Sequence, residues 1–343
     1  MDYVKATEDV VKRCEHVDIG KIVMNGLELS TPMGREIMRI STELVQHRSS
    51  FLYNRGPFYM HLANVCGAEH RFGDVASFVR ECMTVCTAVH VEKFITLGNK
   101  KVGVMPVANY MPPVVWKAIT EGGGDKLESC FINSMVLLTD TAENSREVAV
   151  GLLKMQNLRH LFVGPSSTVK ADMVRGFLAG LGMCMREGGP ALKMPNLKTL
   201  TLTIGEGVQT DGNDNNAFMV DDNGTLHVNA ARSALHTMSA YALSPDRMPN
   251  LRILHLLVHN SPLATLKLIL FMSTLIAHRT TRAENETDEE RKGIPLIDEI
   301  IVKAAYMPTR LVQADSPMRK TLRLVCKKFT VVYGQSYLPG QPI

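Results

Sequence analysis

Net charge is what this sequence has little of: a formal +4 spread over 343 residues. Nucleic acids and anionic membranes are gripped through dense basic surfaces, so a near-neutral balance argues against both as partners. The N-terminal stretch Met1-Asp-Tyr-Val-Lys-Ala-Thr-Glu has no apolar signal core. Long hydrophobic runs are missing too. The most apolar stretch, Pro262 to Ala277, is interrupted by Thr265, Lys267, Ser273 and Thr274, and it falls short of the roughly 20 residues a spanning helix needs. It is expected to be a buried amphipathic helix, with no membrane segment. The seven cysteines (Cys14, Cys66, Cys82, Cys86, Cys130, Cys184, Cys326) are odd in number and scattered. That pattern predicts a reducing intracellular compartment, cytoplasmic or nuclear.

Catalytic signatures are absent as well. Gly122-Gly-Gly124 follows an expected helix and no Gly-Lys-Ser/Thr comes after it, so it reads as a helix stop rather than a phosphate cradle. There is no serine nucleophile elbow, zinc-protease motif or kinase set. Asp211-Gly-Asn-Asp-Asn215 begins like a calcium loop, but Asn216 and Asp222 stand where the loop requires glycine and glutamate. Cys82 and Cys86 share a helix face without a second pair, as small core hydrophobes do. His255 and His259 have helical metal spacing, yet His255 sits between Leu254 and Leu256 in a strand pattern. A protein without catalytic residues, cofactor or metal is the expectation.

What the sequence does have is a repeated phrase. Met155-Gln-Asn-Leu158-Arg-His-Leu161-Phe-Val163 returns as Met194-Pro-Asn-Leu197-Lys-Thr-Leu200-Thr-Leu202 and again as Met248-Pro-Asn-Leu251-Arg-Ile-Leu254-His-Leu256. Ile297, Ile300 and Val302 form a looser copy, and Leu127, Cys130 and Ile132 fit the same template. The last two apolar positions of each set are two apart, which is strand periodicity with both side chains on one face. The first residue turns inward as the chain enters the strand. Leading residues fall at 127, 158, 197, 251 and 297, so the spacings are 31, 39, 54 and 46.

Segments between the strands read as helices: Asp74 to Cys86, Pro113 to Gly122, Ser145 to Lys154, Val169 to Leu181, Asn229 to Ala242, and one opened by Ser316-Pro317. Arg319, Lys320, Arg323, Lys327 and Lys328 are expected to form a basic, solvated helix face there. Two insertions, about 206–228 and 279–293, explain the long spacings. The first carries a hairpin, Phe218 to Val228, turned at Asn223-Gly224. The second contains the charged stretch Thr280 to Lys292 and is expected to be an exposed loop. Val91, Phe94 and Leu97 make an imperfect further copy, and Lys328 to Tyr333 a last strand. The expected organisation is 1–89 as an N-terminal cap or degenerate repeats (strands near Ile19–Leu29 and Phe58–Val65, a helix at Gly34–His47), 90–334 as the repeat array, and 335–343 as a tail.

The pattern L-x-x-L-x-L resembles the leucine-rich repeat. Its long, irregular spacing is similar to that of ribonuclease-inhibitor-like arrays and of eukaryotic, notably fungal, F-box substrate adaptors. The resemblance covers about 90–334 and implies an α/β solenoid, a curved parallel sheet with return helices. No leucine-proline-rich F-box segment is found in Met1 to Val89.

Such a solenoid offers its strand-side residues as a concave binding face. Glu128 and Phe131 come from the first full copy; Arg159, His160 and Phe162 from the second; Lys198 and Thr201 from the third. Arg252, Ile253 and His255 follow, then Asp298, Glu299 and Ile301. The implied function is protein–protein interaction by a scaffold, as in a substrate receptor of a ubiquitin ligase, with a Skp1-type linker protein among its partners. Alternative readings are an α/β enzyme with an unrecognised active site and a nucleic-acid binder using Arg159, Lys198 and Arg252.

Overall fold

The repeated leucines lie in register. The computed structural model describes residues 21–50, 57–92, 94–96, 107–108, 111–123, 126–132, 142–164, 177–188, 192–205, 218–220, 226–228, 237–284, 297–304 and 317–333. The fold is α/β, with a large parallel sheet and helices between its strands. Two compact units divide the chain, one within 1–137 plus 154–158, the other within 138–153 plus 159–343.

In the first unit, strands β1 (Lys21–Asn25), β2 (Tyr59–Ala63), β4 (Ala88–Val91) and β7 (Ser129–Ile132) pair in chain order, all parallel. Met60, Val89 and Cys130 oppose one another, as do Leu62, Val91 and Ile132. All six are buried. Three helices join these strands: α1 (Pro32–Ser50), α2 (Phe72–Met83) and α3 (Pro113–Gly122). They supply Val75, Phe78, Val79, Val115 and Ile119, each with no exposed surface. Burying such a side chain contributes about 1.5–3 kcal/mol. A smaller sheet joins β3 (Val65–Gly67), β5 (Phe94–Thr96) and β6 (Val107–Ala108). The turn from β2 into β3 passes through Asn64 at φ 53, whose amide donates to Asn25 Oδ1 at 2.9 Å. Asparagine is among the side chains that tolerate this left-handed backbone.

The second unit stacks β8 (His160–Val163), β9 (Thr199–Ile204), β12 (Ile253–Val258), β13 (Ile297–Ala304) and β14 (Cys326–Tyr333), again parallel and in chain order. Leu161, Leu200, Leu254 and Ile300 form one row; Val163, Leu202, Leu256 and Val302 form the next. The leading residues Leu197, Leu251 and Ile297 are buried beneath the strand entries. Backbone bonds continue the ladder there, from Lys198 N to Arg159 O and from Arg252 N to Lys198 O, both 2.8 Å. Helices α4 (Ala142–Leu153), α5 (Ala179–Glu187), α6 (Pro262–Glu284) and α7 (Pro317–Leu322) intervene, with a further helical stretch at 237–242. Phe218–Val220 (β10) and Leu226–Val228 (β11) pair antiparallel, as the Asn-Gly turn predicts.

Several expectations need correction. The copy led by Val91 does not join the ladder: Val89 and Val91 do, with Cys86 buried ahead of them, while Phe94–Thr96 pairs with β3 and β6. Register decides this, because only 89 and 91 face Cys130 and Ile132. Strand β4 spans Ala88–Val91, and the two compact units divide near 137. Helix α6 runs through Glu284 and so takes in the start of the charged stretch. Lys327 and Lys328 lie in β14, not on a helix. The calcium-like segment 211–216, the helix over 169–176, most of the second insertion and the tail lie outside the described residues. Among the described residues, no helix is long and apolar enough to cross a membrane.

Candidate functional site

Each ladder strand turns alternate side chains away from the helix-covered core. In the first unit that outward row reads Val23, His61, His90, Phe131, with every neighbour in register. Adjacent strands lie about 4.8 Å apart, so these side chains touch. The His61 and His90 rings stack at 4.2 Å with planes 5° apart, and the Phe131 ring meets His90 edge-on at 4.0 Å. Glu92 follows β4 by one residue, held there by its backbone N–H donating to Leu62 O at 2.9 Å. Its Oε1 lies 3.2 Å from His61 Nε2 and 3.3 Å from His90 Nε2. Tyr59, two residues before His61, places its hydroxyl 3.0 Å from His90 Nδ1. The Lys21 ammonium lies 4.9 Å from the Tyr59 ring centroid.

Burial, reinforced by His61 and Lys21, lowers the His90 pKa to about 3, so this imidazole is neutral at physiological pH. Burial also raises the Tyr59 phenol, with Glu92 adding to it. The same outward positions that a binding scaffold offers to a partner thus hold a compact group of nitrogen and oxygen donors. The chemistry available to it is proton exchange at an exposed edge, hydrogen bonding, or cation ligation.

The second unit's outward row reads Phe162, Thr201, His255, Ile301, Thr330. Phe162, Thr201 and His255 are buried. Side by side on adjacent strands, these three of the expected contact residues keep little of their surface open. The Phe162 ring also lies over Gly164, where a methyl group would meet it. Burial, with Lys303 contributing, holds His255 below the usual histidine range, and its Nε2 has no hydrogen-bond partner. Ile253, Asp298, Glu299 and Ile301 are half-buried, as is Phe131 in the first unit. Glu128, Arg159, His160, Lys198 and Arg252 are exposed.

Charges pair along the strand entries. Lys327 Nζ donates to Asp298 Oδ1 at 2.7 Å, and Arg252 lies 3.7 Å from the other oxygen. Lys328 bonds Glu299 at 2.7 Å, and the Thr330 hydroxyl donates to the same carboxylate. The hydrogen bonds from Lys327 and Lys328 keep both carboxyls below the ordinary range. Cys82 and Cys130 are core residues whose thiols burial pushes up, so neither is a nucleophile.

Sequence reading missed Tyr59, His61, His90 and Glu92. The signal was present: Met60-His61-Leu62 and Val89-His90-Val91 each set a histidine between two core residues, just as Cys130-Phe131-Ile132 sets a phenylalanine. Aligning the three would have brought the histidines together. No protein-family model, curated protein or solved structure matches this chain.

Proposed function

We propose that this protein is a non-catalytic interaction module whose strand ladder belongs to a leucine-rich-repeat solenoid and whose outward strand residues bind a protein partner. The observation that carries the reading is the register of Leu161, Leu200, Leu254 and Ile300, which makes equivalent repeat positions neighbours in space. The outward side chains that stay partly open, Ile253 and Ile301 beside Arg252, then lie together on β12 and β13, on the strand side that a solenoid offers to a partner. In the second unit Arg252, Ile253 and Ile301 mix charge with half-exposed aliphatic surface, and arginine beside apolar anchors is what contact hot spots favour. Its finer form is an F-box-like substrate receptor that also engages a Skp1-type linker.

Replacing Arg252, Ile253 and Ile301 together with alanine tests the face. Thermal stability should stay close to the parent while affinity capture of interactors from a lysate drops sharply. Undiminished capture by the folded variant would reject the face. A purified Skp1-type linker that fails to bind while other proteins are captured would reject the adaptor form alone.

A further inference from the structure

We infer that His61, His90 and Glu92 form a binding site for one zinc ion on the outward face of the first unit's sheet. Register starts the argument, since β2 and β4 put His61 directly opposite His90, and the two-residue strand period brings Glu92 to the same side. The potential ligand atoms of all three lie within 4.8 Å of one another. Ligands about 2.0–2.2 Å from a tetrahedral zinc sit roughly 3.3 Å from each other. The two nitrogen–oxygen separations, 3.2 and 3.3 Å, already have that length.

Hydrogen bonding alone does not satisfy this cluster. His90 Nε2 is buried and has no hydrogen-bond partner, although a carboxylate oxygen lies 3.3 Å away. When His90 Nδ1–H donates to the Tyr59 hydroxyl oxygen, Nε2 carries a bare lone pair facing an anionic oxygen. A cation between them turns that repulsion into two bonds. Tyr59 then fixes the tautomer from behind, as outer partners of metal-bound histidines do.

Two imidazoles and one carboxylate suit zinc, whereas magnesium and calcium favour all-oxygen shells. The side chains of His61, His90 and Glu92 keep 20%, 16% and 26% of their surface exposed, so an ion can enter and water can take the fourth position. Lys21 opposes the ion's charge and Glu92 offsets it. For both Nε2 lone pairs to converge, the stacked rings must tilt toward each other, so binding opens the stack.

The test is calorimetric titration of the chelator-treated full chain with zinc chloride, with magnesium chloride as control, and zinc X-ray absorption on the one-to-one complex. One equivalent of zinc should bind, through nitrogen and oxygen only, and magnesium should not. His61→Asn and Glu92→Gln should each weaken that equivalent at least 100-fold, and Tyr59→Phe about 10–100-fold. Circular dichroism establishes that each variant is folded. If His61→Asn fails to fold, the near-isosteric Glu92→Gln and the absorption spectrum decide. No zinc uptake, uptake unchanged in Glu92→Gln, or sulfur in the zinc shell would each overturn the site.

Discussion

The imidazole rings of His61 and His90 lie face to face, 4.2 Å apart and within 5° of parallel. A stack of this kind favours neutral rings, because a proton on one places a cation against its neighbour. His90, with a pKa of about 3, is held neutral chiefly by burial, and His255 is lowered for the same reason. An unfolded histidine takes its proton near pH 6.5. Between that value and the folded pKa the unfolded chain therefore binds more protons, and stability is lost as pH falls. Urea midpoints of metal-free protein should be constant between about pH 7 and 8 and decline from pH 6.5 toward 4. His255→Asn should flatten part of that decline. An equally steep fall in the variant would mean that His255 contributes none of it.

Leu254 has no exposed surface and sits between Leu200 and Ile300. Truncation to alanine removes apolar contacts on both sides and leaves a cavity. Leu254→Ala should cost about 2–5 kcal/mol in chemical denaturation. A loss of only a few tenths would contradict the packed row.

Gly182 and Gly73 should respond oppositely to alanine. A methyl at Gly182 would collide with the Met238 carbonyl oxygen, a backbone atom that cannot swing aside, whereas one at Gly73 meets nothing within 4 Å. Gly182→Ala should lower stability by more than about 1 kcal/mol, while Gly73→Ala, at the start of α2, should raise it by about 0.4–1 kcal/mol. Paired thermal melts decide the matter, and a stabilised Gly182→Ala would disprove the close approach.

Asn64→Ala should destabilise by about 1–3 kcal/mol, because alanine tolerates the φ of 53° less well and the bond to Asn25 is lost. Asn64→Gly should recover the backbone share of that loss. Equal losses in the two variants would place the whole effect in the side-chain bond.

The rows were legible because leucine spacing encodes strand period directly: 161/163, 200/202 and 254/256 name the inward face without any structure. The helix ends at Pro113, Gly122 and Pro317 were legible for a similar reason, since proline and glycine act locally. Burial on the outward face was not. Phe162, Thr201 and His255 are covered through cross-strand neighbours that lie some 40–55 residues away in sequence, and alternation says only which side a residue faces. The histidine cluster was hidden in the same way. Its members come from residues 59–61 and 90–92, where the leading leucine of the template is replaced by Pro57 and Cys86. Without that marker these two copies did not align with the rest.

Among the described residues, Cys326–Tyr333 closes the strand order and is paired on one side, with β13. The β9–β12 and β12–β13 pairings remain whether or not it is in place. Fraying that starts there removes a single rung and leaves Leu200, Leu254 and Ile300 aligned. Amide deuteration should accordingly be fastest along β14 and slowest along β12.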